Sequence, residues 1–173
     1  MEGRAMMARA HPTLALRPYL AADAPLLAEI LRASIAELTA EDCSEAQRAA
    51  WASAAADEKT FGEKLAGRLT LVGTLGGSTV GFIALAGTEQ IDMLYVHPAA
   101  AGQGVGTMLT DALEKLAAAR GTPRLTVDAS DSARGFFEQR GFAAQQRNTV
   151  SLNGEWLANT TMQKQLAARR EAS

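Results

Sequence analysis

Residues 91–121 read IDMLYVHPAAAGQGVGTMLTDALEKLAAARG and contain a strand, a glycine-rich turn and a helix in succession. Ile91 to Val96 is a short apolar run of strand length. Val105, Met108, Leu109, Ala112, Leu113 and Leu116 then recur at helical spacing. Gly121 follows Arg120, with Pro123 beyond, which is the stop pattern of a helix. Between strand and helix, Gly102, Gly104 and Gly106 let the backbone bend sharply and approach a ligand closely. The helix start adds unpaired N–H groups and a partial positive charge, a combination that favours a phosphate or pyrophosphate. A tight turn that holds nothing would have the same composition. Two phosphate loops are excluded by spacing. No lysine follows the glycines as a P-loop requires, and the dinucleotide pattern fails at its sixth position, which is Thr107 counted from Gly102 and Leu109 counted from Gly104.

The flanking sequence predicts a sheet around this segment. Leu69 to Leu75 and Thr79 to Ala86 are strand-like and are separated by Gly76-Gly77-Ser78, a hairpin signal. With Ile91 to Val96 they form an antiparallel meander. Arg124 to Val127 follows the helix as a short strand, so strand, helix and strand read as a parallel crossover. Ser130 or Asp131 caps a second helix ending at Arg140-Gly141, and Phe142 to Leu166 is two strands turning at Asn153-Gly154. Upstream, Leu14 to Pro18 reads as an edge strand. Asp23 with Pro25 opens a helix whose Leu27, Ile30, Leu31, Ile35 and Leu38 share a face. Ser44 and Gln47 form a capping box for a further helix that carries Trp51 and fades at Ala54 to Ala56. The expectation is one mixed α/β domain over residues 13–167, with about four helices, an unstructured leader at 1–12 and a flexible tail at 168–173.

Composition narrows the function. The 173 residues are 47% hydrophobic and 21% charged, with a net charge of −2. The absence of a basic surplus argues against nucleic acid as a partner. No apolar stretch approaches the ~18–20 residues of a membrane span. One cysteine, Cys43, and two histidines, His11 and His97, exclude a disulfide framework and a Cys- or His-rich metal site. A cytoplasmic protein without a metal is expected.

Leu94-Tyr95-Val96-His97-Pro98, the loop Ala101-Gly102-Gln103-Gly104-Val105-Gly106 and the helix after it resemble motif A of the GNAT superfamily, the Gcn5-related N-acyltransferases. Ser130-Asp131-Ser132-Ala133-Arg134-Gly135-Phe136-Phe137-Glu138-Gln139-Arg140-Gly141-Phe142 resembles motif B. The resemblance runs from about Leu14 to Leu166. Ser44 to Trp51 and Met162-Gln163-Lys164 are similar to one bacterial subgroup of largely unassigned substrate. The resemblance implies a mostly antiparallel sheet in which the strands holding Leu94 and Leu125 run parallel and splay apart. Acetyl-CoA would lie in that V. The strand edge at Leu94, Tyr95 and Val96 would pair with pantetheine amides, and the backbone from Ala101, Gly102, Gln103, Gly104, Val105 and Gly106 to Thr107 would carry the pyrophosphate. The implied reaction is direct attack of an amine, on a small molecule or peptide, on the acetyl thioester. An acyl-CoA-binding sensor with the same fold is the alternative, and the expected assembly is a monomer or homodimer.

Three residues depart from the family pattern. Ala101 stands where the family has Gln or Arg, and Ser130 where many members have Asn; a hydroxyl there can still reach a pantetheine amide. Phe137 stands where many members carry the tyrosine that protonates the departing CoA thiolate, and phenylalanine cannot donate. Its neighbour Phe136 reads as core.

For the base that deprotonates the amine, Asp92 is one candidate, read by alternation on the face of Leu94 and Val96, among apolar neighbours and opposite Tyr95. A plain edge carboxylate is the other reading of Asp92. Glu89, acting through water, is the alternative base, and His97 reads as a loop residue. The Val96 amide is the candidate oxyanion donor. Trp51 and Trp156 could wall an acceptor pocket, while Cys43 reads as a small thiol without a catalytic role.

Overall fold

Strand Gln90–Val96, a 3-10 turn at Pro98–Ala100 and helix Val105–Ala119 follow one another, as the pattern of that segment predicts. The computed structural model describes residues 13–166; the expected leader and tail lie outside them. In chain order the strands are β1 (Leu14–Pro18), β2 (Leu69–Leu75), β3 (Ser78–Ala86), β4 (Gln90–Val96), β5 (Arg124–Ser130), β6 (Ala143–Leu152) and β7 (Glu155–Gln165). The helices are α1 (Ala24–Leu38), α2 (Glu45–Ala52), α3 (Glu58–Ala66), α4 (Val105–Ala119) and α5 (Asp131–Gln139). The strands form one seven-stranded sheet in the order β1-β2-β3-β4-β5-β7-β6. Every pairing is antiparallel except β4 with β5.

Local chemistry explains most boundaries. The Asn153-Gly154 turn has positive φ at both residues, 49° and 81°, which matches the twist of a two-residue hairpin. The Ser44 hydroxyl accepts from the Gln47 N–H at 3.1 Å, and the Gln47 side chain accepts from the Ser44 N–H at 2.8 Å. Two expectations need correction. A fifth helix, α3, exists where the sequence suggested only the fading end of the helix that Ser44 caps: the Asp57 carboxylate caps it, and Phe61 and Leu65, one turn apart, are buried. Gly62 obscures this helix in the sequence, yet it lets α3 approach α1, since a Cβ there would lie 3.1 Å from the Ala24 Cβ. Asp23 does not cap α1; its carboxylate takes two 2.8 Å hydrogen bonds from Arg17 instead.

Each face of the sheet carries its own core. Leu109 and Leu113 of α4 and Phe137 of α5 pack with Ile83, Leu85, Ile91 and Leu125 on one face. Leu27, Ile30 and Ile35 of α1, with Phe61 and Leu65 of α3, cover Val72, Phe82, Ala84 and Met93 on the other. Helix α4 passes very close to the sheet. A Cβ on Gly81 would sit 3.0 Å from both the Tyr95 carbonyl oxygen and Val105 Cγ1. That closeness fixes where the N-terminus of α4 points.

Two irregularities of β4 shape the site. Ala84 pairs with Met93 and Leu85 with Ile91, so Asp92 is an extra, unpaired residue in a bulge. The bulge breaks the alternation: Ile91 belongs to one core and Met93 to the other. Pairing between β4 and β5 is confined to Gln90 with Thr126 and Ile91 with Val127. Beyond these pairs the strands diverge.

Candidate active site

The divergence of β4 and β5 opens a cleft of about 400 Å³, walled by Ile91 to Val96, Val127 to Ser130, Gly106, and Phe136 with Phe137. The His97 N–H donates to the Val80 carbonyl at 2.7 Å, toward β3. By alternation, Tyr95 also turns its backbone polar groups to β3, and Leu94 and Val96 turn theirs to the open side. The cleft therefore has an unpaired strand edge along one wall, a template for another amide chain.

The glycine loop enters at the end of this edge. Gly104 precedes the helix with φ 89°, a left-handed conformation, and supplies no side-chain cap. The first helical bond runs from the Met108 N–H to the Gly104 carbonyl at 2.9 Å, so the amides of Val105, Gly106 and Thr107 have no helix carbonyl to bind. The Val105 side chain is buried in the core, which leaves only its amide for a ligand. Ala101, Gly102, Gln103, Gly104 and Thr107 are exposed. A Cβ at Gly102 would meet nothing within 4 Å, so the loop is open to a bulky anion. The His97 ring Nδ1 accepts from the Ala99 N–H at 3.0 Å, a capping role within the loop.

Asp92 occupies a different environment from the one expected. Because it is the bulged residue, it turns away from Leu94 and Val96 and shares a second cavity with Tyr95 and Trp51. Its carboxylate is not among apolar neighbours alone; it accepts from Arg68 Nε at 2.8 Å. It still lines the main cleft. The Tyr95 hydroxyl accepts from Trp51 Nε1 at 2.8 Å. Burial, opposed by that hydrogen bond and aided by the Asp92 charge, pushes the phenol up to about 12, so it keeps its proton.

The other candidates divide. Glu89 lies at the closed end of the V, where its carbonyl accepts from the Thr126 N–H and its carboxylate pairs with Arg124 at 3.6 Å; it lines neither cavity. Trp51 lines both cavities, whereas Trp156 is 64% exposed and lines neither, its neighbour Leu157 facing the second cavity in its place. Ser130 lines both, with its hydroxyl oxygen capping α5 by accepting from the Ala133 N–H at 3.2 Å. Phe137 is 2% exposed and packs edge to face against Phe136 and Phe142, presenting one side to the cleft. Phe136 is only partly buried and lies against Gly106.

The second cavity, about 280 Å³, was not visible in the sequence. Asp42, Asp128 and Asp131 line it and share no linear pattern. Ser132 Oγ donates to the Asp42 carboxylate at 2.5 Å, tying α5 to the segment before α2. Hydrogen bonds from Arg147 hold the Asp131 carboxyl below its ordinary range. Burial, then the Asp42 charge, pushes the Cys43 thiol up and keeps it protonated. Among the described residues no cluster of His, Cys, Asp and Glu is arranged to hold a metal ion, and no helix is long and apolar enough to cross a membrane.

Residues 39–166 match the family model described as an acetyltransferase (GNAT) domain. The chain belongs to the GNAT family. It is 33% identical over 147 residues to YafP of Escherichia coli K12, named an uncharacterized N-acetyltransferase, covering 85% of this chain and 93% of that one. A GCN5-related N-acetyltransferase from Rhodopseudomonas palustris superposes with a TM-score of 0.87 at 62% identity, over 91% of this chain and 98% of that one. The PaiA N-acetyltransferase of Thermoplasma acidophilum, solved with coenzyme A, shares the GNAT fold at a TM-score of 0.74 and 17% identity, over 88% of this chain and 99% of that one.

Proposed function

We propose that this GNAT domain transfers an acetyl group from acetyl-CoA to the amine of a small molecule or peptide. The observation that carries the reading is the open edge of β4 running into the unpaired amides at the start of α4. The residues fit the coenzyme. Leu94 and Val96 would pair with the pantetheine amides. The N–H groups of Val105, Gly106 and Thr107 would take the pyrophosphate, a task that needs no side chain at Ala101. The coenzyme would supply the acetyl thioester. Within the cleft the Val96 N–H would receive the developing oxyanion. Asp92, at the junction of the two cavities, would take the proton from the attacking amine, with Arg68 fixing its orientation. Nitrogen bonds to the acetyl carbon, the carbon–sulfur bond breaks, and the thiolate leaves with the electron pair. Phe137 cannot protonate that thiolate; a free thiol has a pKa of about 8.5, so water can complete the step.

Phe137 also favours a second reading, an acyl-CoA-binding module without turnover. Thiol release from acetyl-CoA, measured with pools of small amines, polyamines, aminoglycosides and short peptides alongside a calorimetric titration of acetyl-CoA, separates the two. Acceptor-dependent release is the expected result. Tight binding with no release in any pool would favour the module, and no binding would overturn both readings.

A further inference from the structure

The cavity beside the cleft has a composition that selects its occupant. It shares Trp51, Asp92, Tyr95 and Asp128 with the cleft, so a molecule within it reaches the reaction centre. Its volume, about 280 Å³, suits a small molecule. Val150, Leu152 and Leu157 of the β6–β7 hairpin give it an apolar side. Trp51 and Tyr95, edge to face at 6.5 Å and joined by their hydrogen bond, give it a fixed aromatic wall.

The polar side is negative. Among the described residues four carboxylates line the cavity and no lysine or arginine does. Arg68 answers the charge of Asp92, and Arg147 answers that of Asp131 through two hydrogen bonds of 2.5 and 3.1 Å. Asp42 and Asp128 have no ion-pair partner among the described residues. Asp42 accepts from the Ser132 hydroxyl and Asp128 from Thr161 Oγ1 at 2.7 Å, both neutral donors. Arg48, on α2, directs its Nη1 at the carbonyl oxygens of Ala40 and Cys43.

We propose that this cavity binds a short aliphatic diamine or polyamine, whose stem lies against the hairpin and whose second ammonium is held by Asp42 and Asp128 beside the Trp51 ring. The proposal rests on reading the cleft as the acetyl-CoA site and names the acceptor of that reaction. An acceptor bearing a carboxylate would be repelled by the same groups.

Calorimetry of the full chain, with and without coenzyme A, tests the proposal independently of turnover. The probes are 1,5-diaminopentane, n-pentylamine and 6-aminohexanoate. The diamine is expected to bind about tenfold more tightly than pentylamine, the effect of two partly screened ion pairs, with aminohexanoate weakest. The gap should close as salt rises. Asp42→Asn and Asp128→Asn, each keeping the shape of the side chain, should each narrow the ratio about threefold, and Asp42→Asn, whose carboxylate lies outside the cleft, should leave coenzyme A affinity unchanged. Pentylamine binding as tightly as the diamine, binding of neither, or a ratio unmoved by both substitutions would overturn the proposal. If a variant fails to fold, the probe series and its salt dependence on the unaltered chain decide between these outcomes. Failure of the acetyl-transfer reading looks different: the diamine preference stands, but thiol release is absent for every amine.

Discussion

Asp92 shows how much one residue's position depends on a neighbouring irregularity. Strict alternation assigns it to the face of Leu94 and Val96; the bulge opposite Ala84 and Leu85 turns it to the side of Tyr95 and Trp51, against Arg68. That side is where an acceptor amine would enter, so the displaced carboxylate is better placed to take its proton. Asp92→Asn is expected to lower turnover by about 10²-fold or more, the usual value of a general base, with acetyl-CoA affinity nearly unchanged. Equal turnover in the variant between pH 6 and 9 would remove Asp92 from the role. Arg68→Gln, which keeps the carboxylate and loses its partner, should cost less than Asp92→Asn. The missing phenol makes the second prediction at this scale. Phe137 faces the cleft with one edge while Phe136 and Phe142 hold the rest of its ring. Phe137→Tyr should raise turnover by about tenfold or more if protonation of the leaving thiolate limits the rate. An unchanged rate with unchanged coenzyme affinity would show that protonation of the thiolate does not limit turnover.

Among the elements, α4 is the one on which the proposed coenzyme site depends. Its N-terminus is aimed by contact with the sheet across Gly81 and by the left-handed turn at Gly104. Gly104→Val places a β-branched residue at φ 89° and would crowd the proposed anion site; acetyl-CoA should bind at least about tenfold more weakly by calorimetry, since strain of ~1–2 kcal/mol adds to the steric loss. Gly81→Ala acts elsewhere. It forces the Val105 and Tyr95 contacts apart and should lower stability by about 1–3 kcal/mol in urea unfolding, with a smaller effect on coenzyme affinity. Elements with strong local signals were legible in the sequence. The capping box at Ser44, the turn at Asn153-Gly154 and the apolar period of α4 each fix their own boundaries. Helix α3 was not, because Gly62 weakens a helix locally and only the close approach to Ala24 explains its presence. The loop of the candidate site could be read because glycines act through backbone shape. The second cavity could not: Asp42, Asp128 and Asp131 come together only through the splay of β5 and the docking of α5, which no linear spacing records.

At the scale of the whole molecule, the edge strand β1 is joined to the turn before α1 through Arg17 and Asp23, and this pair sets a pH dependence of folding. The Asp23 side chain is only 11% exposed, and its carboxyl lies below the ordinary range because Arg17 donates to it, with the Leu20 N–H assisting and burial opposing. A carboxyl whose folded value is depressed stabilises the fold fully above its unfolded value of about 3.9, where both states are ionised. As pH falls through that value the unfolded chain takes up the proton first. The contribution then shrinks, and it is gone once pH has passed below the folded value as well. Asp131 with Arg147 adds the same sign, more weakly, because both side chains are about half exposed. Urea midpoints measured from about pH 6 down to pH 3 should therefore fall most steeply below pH ~4. Asp23→Asn, which keeps an acceptor for the Leu20 N–H but no charge for Arg17, should start lower and fall less steeply. A variant whose midpoints ran parallel to those of the parent chain would mean that the charge of Asp23 adds nothing to stability, and that β1 is held by its pairing with β2 and by Leu14 against the core.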